Sequence, residues 1–373
     1  MQCAHPAWND AGSTKPTCRC WGATVESNGS EVNITLRARA LSAGSTVAVV
    51  APSWCGPAVA PHRVERGRDY LERQGYRVVL APHLFAQDRW AAGKPEQRAQ
   101  DLMTMFEDPA IDAVWAAIGG DYACHLLPHL DWDLIARNPK VFIGFSDITV
   151  INAALHTVTG LVTFNGPSLM NELAEFPAPP EYAMRQLWRV LASPTAARVI
   201  EPASEWTEEH LEWTTREDLT RGRTYTTSPG WTWLREGTAE GRLFGGCLES
   251  LQHLRGTPYF PAPTALEGAL FFWEISEVRP SPEWVDAVLQ DYENMDVLSH
   301  LGGMLVGRPY GYSDADKVVL REVILERTKR YRFPIVTDMD FGHTSPQMTL
   351  PLGCQARIDG DRHTFSINEA AVI

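Results

Sequence analysis

The sequence lacks any apolar run long enough to cross a bilayer. A spanning helix needs about 18 consecutive apolar residues, and the 373-residue chain has no such run. The chain also lacks a cationic excess, since 46 acidic residues outnumber 33 basic ones and leave a formal net charge of −13. That charge argues against binding to a nucleic-acid polymer or to an anionic membrane. A small phosphate-bearing ligand remains compatible with it.

Cysteine is scarce, with seven scattered residues, and their odd number favours reduced thiols in a cytoplasmic protein over a disulfide framework. Residues 1–21 lack a basic start followed by an apolar core, so we predict no secretion signal. Cys3, His5, Cys18 and Cys20 lie close together, but their spacing matches no common zinc site. We therefore expect no metal ion and no organic cofactor.

Repeats and low-complexity segments are also missing, and the chain shows instead a regular alternation of strand and helix patterns. Short apolar runs occur at residues 45–53, 76–82, 111–120, 140–145 and 161–167, and helical patterns separate most of them. Such alternation over about 120 residues predicts βαβ units around a parallel sheet. In such sheets the ligand lies beyond the carboxyl ends of the strands.

Composition divides the chain into four segments. Residues 1–40 are a polar extension, and residues 41–172 are predicted to form an α/β domain of the flavodoxin or Rossmann type. Residues 173–240 begin with prolines and continue as an irregular, tryptophan-bearing stretch, which we interpret as a connector that folds over a site. Regular patterns resume in residues 241–373, which we predict to be a C-terminal domain.

A serine lies where the fourth predicted strand turns into a helix, in KVFIGFSDITVINAALH (residues 140–156). A sharp turn there exposes the hydroxyl of Ser146 and directs free helix N–H groups at the group that it attacks. The amide of Asp147 is the first donor, and Gly120 of AIGGD is the expected second, because a glycine lets the backbone approach closely. The alternative is a helix cap that contributes about 1 kcal/mol. Ile148 replaces the second glycine of the α/β-hydrolase elbow, which excludes that fold by motif.

A nucleophilic serine needs a base and a group that orients the base. His343 follows the apolar run FPIVTD and has small neighbours, so it is the favoured base. Glu274 ends the apolar run ALFFWE, where a carboxylate is costly unless it is paired, and it is the favoured orienting group. Glu277 and Glu249 are the rival carboxylates, although each also fits a surface or helical position.

Nine segments, taken together and in order, resemble the LD-carboxypeptidases and microcin C self-immunity proteins, a family of serine peptidases. The matching segments are GSTVAVVAPS, AIGGD, LLPHLDWDLI, IGFSDIT, TFNGP, GRLFGGCLESL, LFFWEIS, GMLVGRP and FGHTSPQMTLPLG. The resemblance implies that Ser146 is the nucleophile, His343 the general base and Glu274 its orienting group. It also implies that the backbone amides of Gly120 and Asp147 form the oxyanion hole.

The resemblance covers roughly residues 41–373 and implies a parallel α/β domain, a C-terminal mostly-β domain, a site between them and a homodimer. One branch of the family removes D-alanine from cell-wall tetrapeptides, and the other cleaves aminoacyl-nucleotides. The tryptophan-bearing connector is similar to the second branch, since an indole can stack on a base. We therefore expect the substrate to contact two residues of AIGGD and four connector indoles. These residues are Gly119, Asp121, Trp206, Trp213, Trp231 and Trp233.

Two departures from the family pattern leave the substrate open. Asp121-Tyr122 replaces the common Ser-Asn, and Cys247 stands where an asparagine is common. Two other interpretations also remain open at this point. One is a thiol enzyme that uses Cys124 or Cys247, and the other is a non-catalytic α/β protein that binds a nucleotide or a sugar.

Overall fold

Two β-sheets dominate the computed structural model, which describes residues 35–373. In chain order the strands are β1 (Thr46–Val50), β2 (Arg77–Leu80), β3 (Ala113–Ala116), β4 (Val141–Gly144), β5 (Thr163–Asn165), β6 (Arg198–Ile200), β7 (Glu205–Trp206), β8 (Thr226–Thr227), β9 (Thr232–Arg235), β10 (Thr238–Cys247), β11 (Ala269–Glu274), β12 (Leu301–Gly307), β13 (Ile335–Met339), β14 (Leu350–Leu352), β15 (Gln355–Asp359) and β16 (Thr364–Ile367).

The helices surround these sheets. The α-helices are α1 (Gly56–Val59), α2 (Pro61–Arg73), α3 (Pro95–Glu107), α4 (Trp132–Arg137), α5 (Thr149–Thr159), α6 (Glu181–Leu191), α7 (Leu248–Leu251), α8 (Pro282–Asn294), α9 (Val297–His300) and α10 (Asp314–Arg327). Short 3-10 turns cover Ala123–His129, Ser146–Ile148, Glu172–Ala174, Glu217–Leu219, Gln252–Leu254 and Pro263–Leu266. Within residues 35–373, no helix has the length and apolarity needed to span a bilayer.

The first sheet has the order β14-β5-β4-β3-β1-β2, and β1 to β5 pair in parallel. The order 2-1-3-4-5 is that of flavodoxin-like folds, which confirms the predicted parallel α/β domain. Strands β1, β3 and β4 are buried along their whole length because helices cover both faces of the sheet. The carboxyl ends of these three strands therefore meet at one edge.

Local chemistry sets one end of each of the two helices that precede and follow β4 in the chain. Helix α5 stops at Gly160, whose φ of 74° is a left-handed conformation that glycine adopts without strain. The N-terminus of α4 is capped by Asp131, whose carboxylate accepts the N–H of Leu134 at 2.9 Å. These caps define where α5 ends and where α4 begins.

The second sheet has the order β6-β16-β15-β10-β11-β12-β13-β9. Its centre, β10 to β13, is parallel, and antiparallel strands extend it on both sides. It forms the second, mostly-β part of the fold, as expected. All six residues of β11 are buried, and this strand ends at Glu274. Glu274, the predicted orienting group, and His343, the predicted base, therefore follow strand ends on the same edge of the sheet.

One strand of the C-terminal segment crosses into the first sheet. β14 follows β13 in the chain but pairs antiparallel with β5, with Leu350 opposite Asn165. The chain then returns to the second sheet at β15. The two sheets are thus connected by backbone pairing, and the domain limits drawn from the sequence stay a prediction.

The connector contacts the loop that follows β13. Thr207 and Ser345 exchange two backbone hydrogen bonds, of 2.7 and 2.8 Å. Nearby, β7 and β8 form a short antiparallel hairpin. The irregular stretch therefore lies beside His343, which is two residues from Ser345.

Candidate active site

The serine corner is sharply turned. β4 ends at Gly144, and Ser146 has a φ of 62°, a left-handed conformation that is rare for a residue with a side chain. Such a backbone costs about 1–3 kcal/mol and persists only where its surroundings hold it. A 3-10 turn from Ser146 to Ile148 then leads into α5. The hydroxyl of Ser146 is consequently turned out of the backbone, and this residue is partly exposed among buried neighbours.

Two glycines at the end of the β3 segment leave room for this serine. A Cβ on Gly119 would lie 2.8 Å from Ser146 Cβ and 3.2 Å from the amide nitrogen of Asp147. Gly120 has a φ of 142°, and a Cβ there would lie 2.6 Å from Ser53 Oγ. The structure thus places Gly119 against Ser146 and the amide of Asp147, and Gly120 is the next residue in the chain. The oxyanion hole formed by the amides of Gly120 and Asp147 stays a prediction.

The carboxylate of Asp147 holds the neighbouring loops. Its Oδ2 accepts hydrogen bonds from Ser53 Oγ at 2.5 Å and from the amide of Ala123 at 2.8 Å. Ser53 Oγ in turn accepts the amide of Tyr122 at 3.0 Å. Burial raises the pKa of Asp147, and the bonds from Ser53 and Ala123 oppose that rise. Sequence reasoning used only the amide of Asp147 and missed this tie between the loops after β1 and β3.

The imidazole of His343 lies between the serine and a buried carboxylate. Its Nε2 is 3.0 Å from Ser146 Oγ, and its Nδ1 is 2.7 Å from Glu274 Oε2. Glu274 is 1% exposed, and a Cβ on Gly342 would lie 2.6 Å from its Oε2. The structure therefore brings together the three side chains that the sequence singled out, from the ends of β4, β11 and β13.

A second carboxylate also reaches this imidazole. Glu277 Oε2 lies 3.0 Å from His343 Nε2, although the Glu277 side chain is 63% exposed. Burial lowers the pKa of His343, but Glu274 and Glu277 outweigh it and raise that pKa well above its usual value. Partial desolvation beside the site works to raise the pKa of Glu277, and the contact with His343 outweighs it and lowers that pKa to about 2. Glu277 was the rival candidate for the orienting group, and it contacts Nε2 of His343, whereas Glu274 contacts Nδ1.

The other rival carboxylate, Glu249, is occupied elsewhere. It accepts the amide of Ser276 at 2.9 Å and the hydroxyl of Ser276 at 2.7 Å. Cys247 lies beside it, with Sγ 3.5 Å from Glu249 Oε2. Burial, reinforced by Glu274 and Glu249, raises the pKa of the Cys247 thiol well above its usual value. Burial and the Asp147 charge also raise the pKa of Cys124, so neither thiol has the thiolate character that a nucleophile needs.

A small cavity of about 50 Å³ lies beside His343. The connector supplies Trp213 and Arg223 to its wall. Trp213 lies under the guanidinium of Arg63, which is 4.6 Å from the ring centroid. Glu172 is another wall residue, and its burial, partly offset by Arg223, raises its pKa to about 7. The wall of this cavity therefore combines one aromatic surface with several ionisable groups.

Trp206 and Trp231 do not line this cavity. The ring of Trp206 faces the cations of Arg308, at 4.7 Å, and Lys317, at 5.6 Å. Trp231 is 9% exposed, and its indole N–H donates to Asp340 Oδ2 at 2.7 Å. Both indoles thus have protein partners outside this cavity wall, and their contact with substrate stays a prediction.

Trp233 and Asp121 also lie away from the cavity wall. Trp233 stacks on His363 with ring centroids 4.9 Å apart. Asp121 is exposed next to Gly120. Among the four connector indoles, the structure brings Trp213 to the cavity beside His343.

Sequence reasoning also missed a buried ion-pair cluster next to the cavity. Arg63 of α2 is 1% exposed and pairs with Asp218 at 3.0 Å and Glu175 at 2.6 Å. Glu175 also pairs with Arg223 at 2.7 Å. The cluster ties the connector to α2. Local sequence carries no signal for it, because Arg63 lies more than a hundred residues from Glu175 and Asp218.

Metal ligation has no visible basis in the described part of the chain. Within residues 35–373, no three His, Cys, Asp or Glu side chains are grouped so that they could hold a metal ion. The cluster of Cys3, His5, Cys18 and Cys20 lies outside the described residues.

Comparison with known proteins identifies the family. The LD-carboxypeptidase N-terminal domain model matches residues 47–166, and the C-terminal domain model matches residues 240–358. The chain belongs to the LD-carboxypeptidase family. The family consists of serine peptidases, so the predictions of family, of enzyme class and of an α/β domain followed by a mostly-β domain are confirmed.

Relatives of this LD-carboxypeptidase family member fall into both branches. It is 33% identical over 343 residues to a putative carboxypeptidase of Streptomyces coelicolor, which covers 90% of this chain and 97% of the relative. It is 29% identical over 336 residues to the microcin C7 self-immunity protein MccF of Escherichia coli, covering 90% and 96%. The structure of MccF in complex with glutamyl sulfamoyl guanosine superposes with a TM-score of 0.82 at 28% identity, covering 91% of this chain and 100% of MccF.

Proposed function

We propose that this serine peptidase hydrolyses an amide-type bond with Ser146 as nucleophile, His343 as general base and Glu274 as the group that orients the base. The observation that carries the proposal is the hydrogen-bonded series Ser146 Oγ–Nε2 at 3.0 Å and Nδ1–Glu274 Oε2 at 2.7 Å. Three distant chain segments supply these side chains. Their convergence on a serine with a left-handed backbone supports activation of its hydroxyl.

The first half of the reaction forms an acyl-enzyme. Neutral His343 takes the proton of Ser146 while Oγ bonds to the scissile carbonyl carbon. The carbonyl oxygen becomes an oxyanion, which accepts hydrogen bonds from the amides of Asp147 and Gly120. Each such donor is worth on the order of 3 kcal/mol. Glu274, which accepts the Nδ1–H, stabilises the imidazolium that forms.

The second half restores the enzyme. The imidazolium of His343 gives its proton to the leaving nitrogen, and the carbon–nitrogen bond breaks to release the amine. Water then attacks the ester on Ser146 while His343 takes a proton from that water. Collapse of the second intermediate returns the proton to Ser146 Oγ and releases the carboxylic acid.

For the substrate we propose an aminoacyl-nucleotide of the processed microcin C type, so that hydrolysis gives self-immunity or detoxification. Two observations support this class. MccF binds glutamyl sulfamoyl guanosine and has the same fold over 91% of this chain. Trp213 lies in the wall of the cavity beside His343, where an indole could stack on a nucleobase for about 1–3 kcal/mol.

The experiment is to incubate the protein with an aminoacyl sulfamoyl adenosine and, separately, with a murein tetrapeptide, and to detect both sets of products by mass spectrometry. Ser146→Ala should lower kcat by about 10⁶-fold, as removal of the nucleophile does in serine peptidases. Ser299→Ala is the control, because Ser299 is exposed and, among residues 35–373, its hydroxyl hydrogen-bonds only to Asp296.

Undiminished turnover by the Ser146 variant would reject the nucleophile. Release of D-alanine from the tetrapeptide, without cleavage of the nucleotide compound, would keep the triad and replace the substrate class. The homodimer and the cytoplasmic location stay predictions. Light scattering on the purified protein tests the first of them.

A further inference from the structure

Nε2 of His343 has two partners at the same distance. Ser146 Oγ and Glu277 Oε2 each lie 3.0 Å from it. Nδ1 is already occupied, because its hydrogen is directed at Glu274 Oε2. The state of the imidazole therefore depends on which of the two partners holds Nε2.

The contact with Glu277 requires a proton on Nε2. A carboxylate oxygen and an unprotonated Nε2 both present lone pairs, and they repel each other at 3.0 Å. With a second hydrogen on Nδ1, the ring is then an imidazolium between two carboxylates. An imidazolium cannot accept the proton of Ser146. An ion pair between His343 and Glu277 therefore competes with activation of Ser146, which needs an unprotonated Nε2.

Glu277 is placed so that it can withdraw. Its side chain is 63% exposed, whereas that of Glu274 is 1% exposed. Among residues 35–373, its carboxylate has no ion pair other than the one with His343. It lies in the loop that leaves β11, three residues after Glu274. Glu274 is therefore a fixed partner of the imidazole and Glu277 a movable one.

We propose that Glu277 keeps His343 protonated in the free enzyme and is drawn away by an ammonium group of the substrate, so that the enzyme selects acyl groups with a free amine beside the scissile carbonyl. This inference rests on the proposed function. An α-ammonium nitrogen is two bonds from the carbonyl carbon that Ser146 attacks. Since Ser146 and Glu277 share Nε2, that nitrogen comes within reach of the Glu277 carboxylate.

Other ionisable groups near the imidazole do not replace Glu277. Those in the cavity wall are Glu172, Glu175, Glu209, His210, Asp218 and Arg223. The Glu172 carboxylate accepts bonds from Ser345 and Gln347, and that of Glu175 pairs with two arginines. The two carboxylates that contact the ring, Glu274 and Glu277, are also the groups that raise the pKa of His343 against the effect of burial.

The first test follows the His343 ring proton by NMR in the free protein while the pH is varied, with His343→Asn to assign the signal. Glu277→Gln should lower the midpoint of this titration by about 1–3 pH units, since an adjacent opposite charge shifts a pKa by that much. Glu322→Gln, which alters an exposed glutamate of α10, should leave it unchanged. An unchanged midpoint in the Glu277 variant would overturn the ion pair between Glu277 and His343.

The second test compares kcat/KM for an aminoacyl sulfamoyl adenosine and for its N-acetyl derivative. The wild-type protein should prefer the free amine by about tenfold or more, and Glu277→Gln should bring the ratio near one. The acidic limb of the pH–rate profile should also move to lower pH in that variant, because the base loses its proton more easily. A preference that survives the substitution would overturn the substrate role. The NMR midpoint does not depend on hydrolysis, so it separates this inference from a failure of the nucleophile assignment.

Discussion

The serine side of the site is built mainly from backbone, whereas the histidine side is built from charged side chains. On the first side, Ser146 has a positive φ, and Gly119, which has no side chain, leaves room for the side chain of Ser146. On the second side, Glu274 and Glu277 both contact the ring of His343. The first side should therefore be sensitive to added volume and tolerant of charge changes nearby, while the second should respond to charge and pH.

The largest effect should come from removing the fixed charge on the histidine side. Glu274→Gln preserves the shape of the side chain but leaves no carboxylate to hold the Nδ1–H tautomer and stabilise the imidazolium. We expect kcat to fall by about 10⁴-fold with little change in KM, as for the equivalent change in a serine protease triad. Steady-state kinetics with the substrate that the mass-spectrometry experiment identifies provides the measurement.

The control is Glu322→Gln, which should retain full activity, and circular dichroism should show that both variants are folded. A Glu274 variant that turns over within tenfold of the wild type would contradict the proposed role. It would also show that the histidine side of the site does not depend on the charge of Glu274.

A smaller but still large effect should come from added volume on the serine side. Gly119→Ala puts a Cβ 2.8 Å from Ser146 Cβ and 3.2 Å from the Asp147 amide, so one of them has to move. We expect kcat to fall by about 10²–10³-fold, the cost of losing one oxyanion donor. The pH–rate midpoint should stay where it is in the wild type, because no charge changes.

Gly67→Ala in α2 is the matched control, since its Cβ would lie 2.6 Å from the carbonyl oxygen of Leu169. It should lower the melting temperature without lowering kcat per folded molecule. If Gly119→Ala lowered only the melting temperature and not kcat, the close contact of Gly119 with Ser146 would matter for packing alone.

The smallest effect should come from the connector, which lies beside both sides of the site. Trp213→Leu removes the indole from the cavity wall, and KM for an aminoacyl-nucleotide should rise by about tenfold, within the range of one stacked base. Trp233→Leu, whose indole stacks on His363 instead, should leave KM unchanged. Equal effects of the two substitutions would argue against base stacking at Trp213.

Much of the first sheet could be predicted because its information is local. The five apolar runs correspond to β1 to β5, and Ser146 lies at the strand-to-helix turn that the pattern indicated. Glu274 was found by a chemical argument, since a carboxylate that ends an apolar strand needs a partner. His343 was found by its position after an apolar run and by its small neighbours. The sequence alone could place them at strand ends but could not give the distances between them.

The features that escaped prediction depend on contacts between distant segments. Glu277 was a plausible surface residue, and only the path of the loop after β11 brings it to Nε2 of His343. Trp231 looked like its neighbours in the connector, yet it is buried on Asp340. In both cases composition suggested what the side chain could do, and tertiary packing decided what it touches.

The crossing of β14 into the first sheet has a mechanical consequence. Leu350 of β14 is opposite Asn165 of β5, which is opposite Gly144 of β4. Gly144 is two residues before Ser146, and Leu350 is seven residues after His343. Nucleophile and base are thus joined through three laterally bonded strands rather than across an open hinge. A hinge motion that separated the two sheets would break the backbone hydrogen bonds between these strands. Substrate access therefore has to come from movement of the loops at the strand ends.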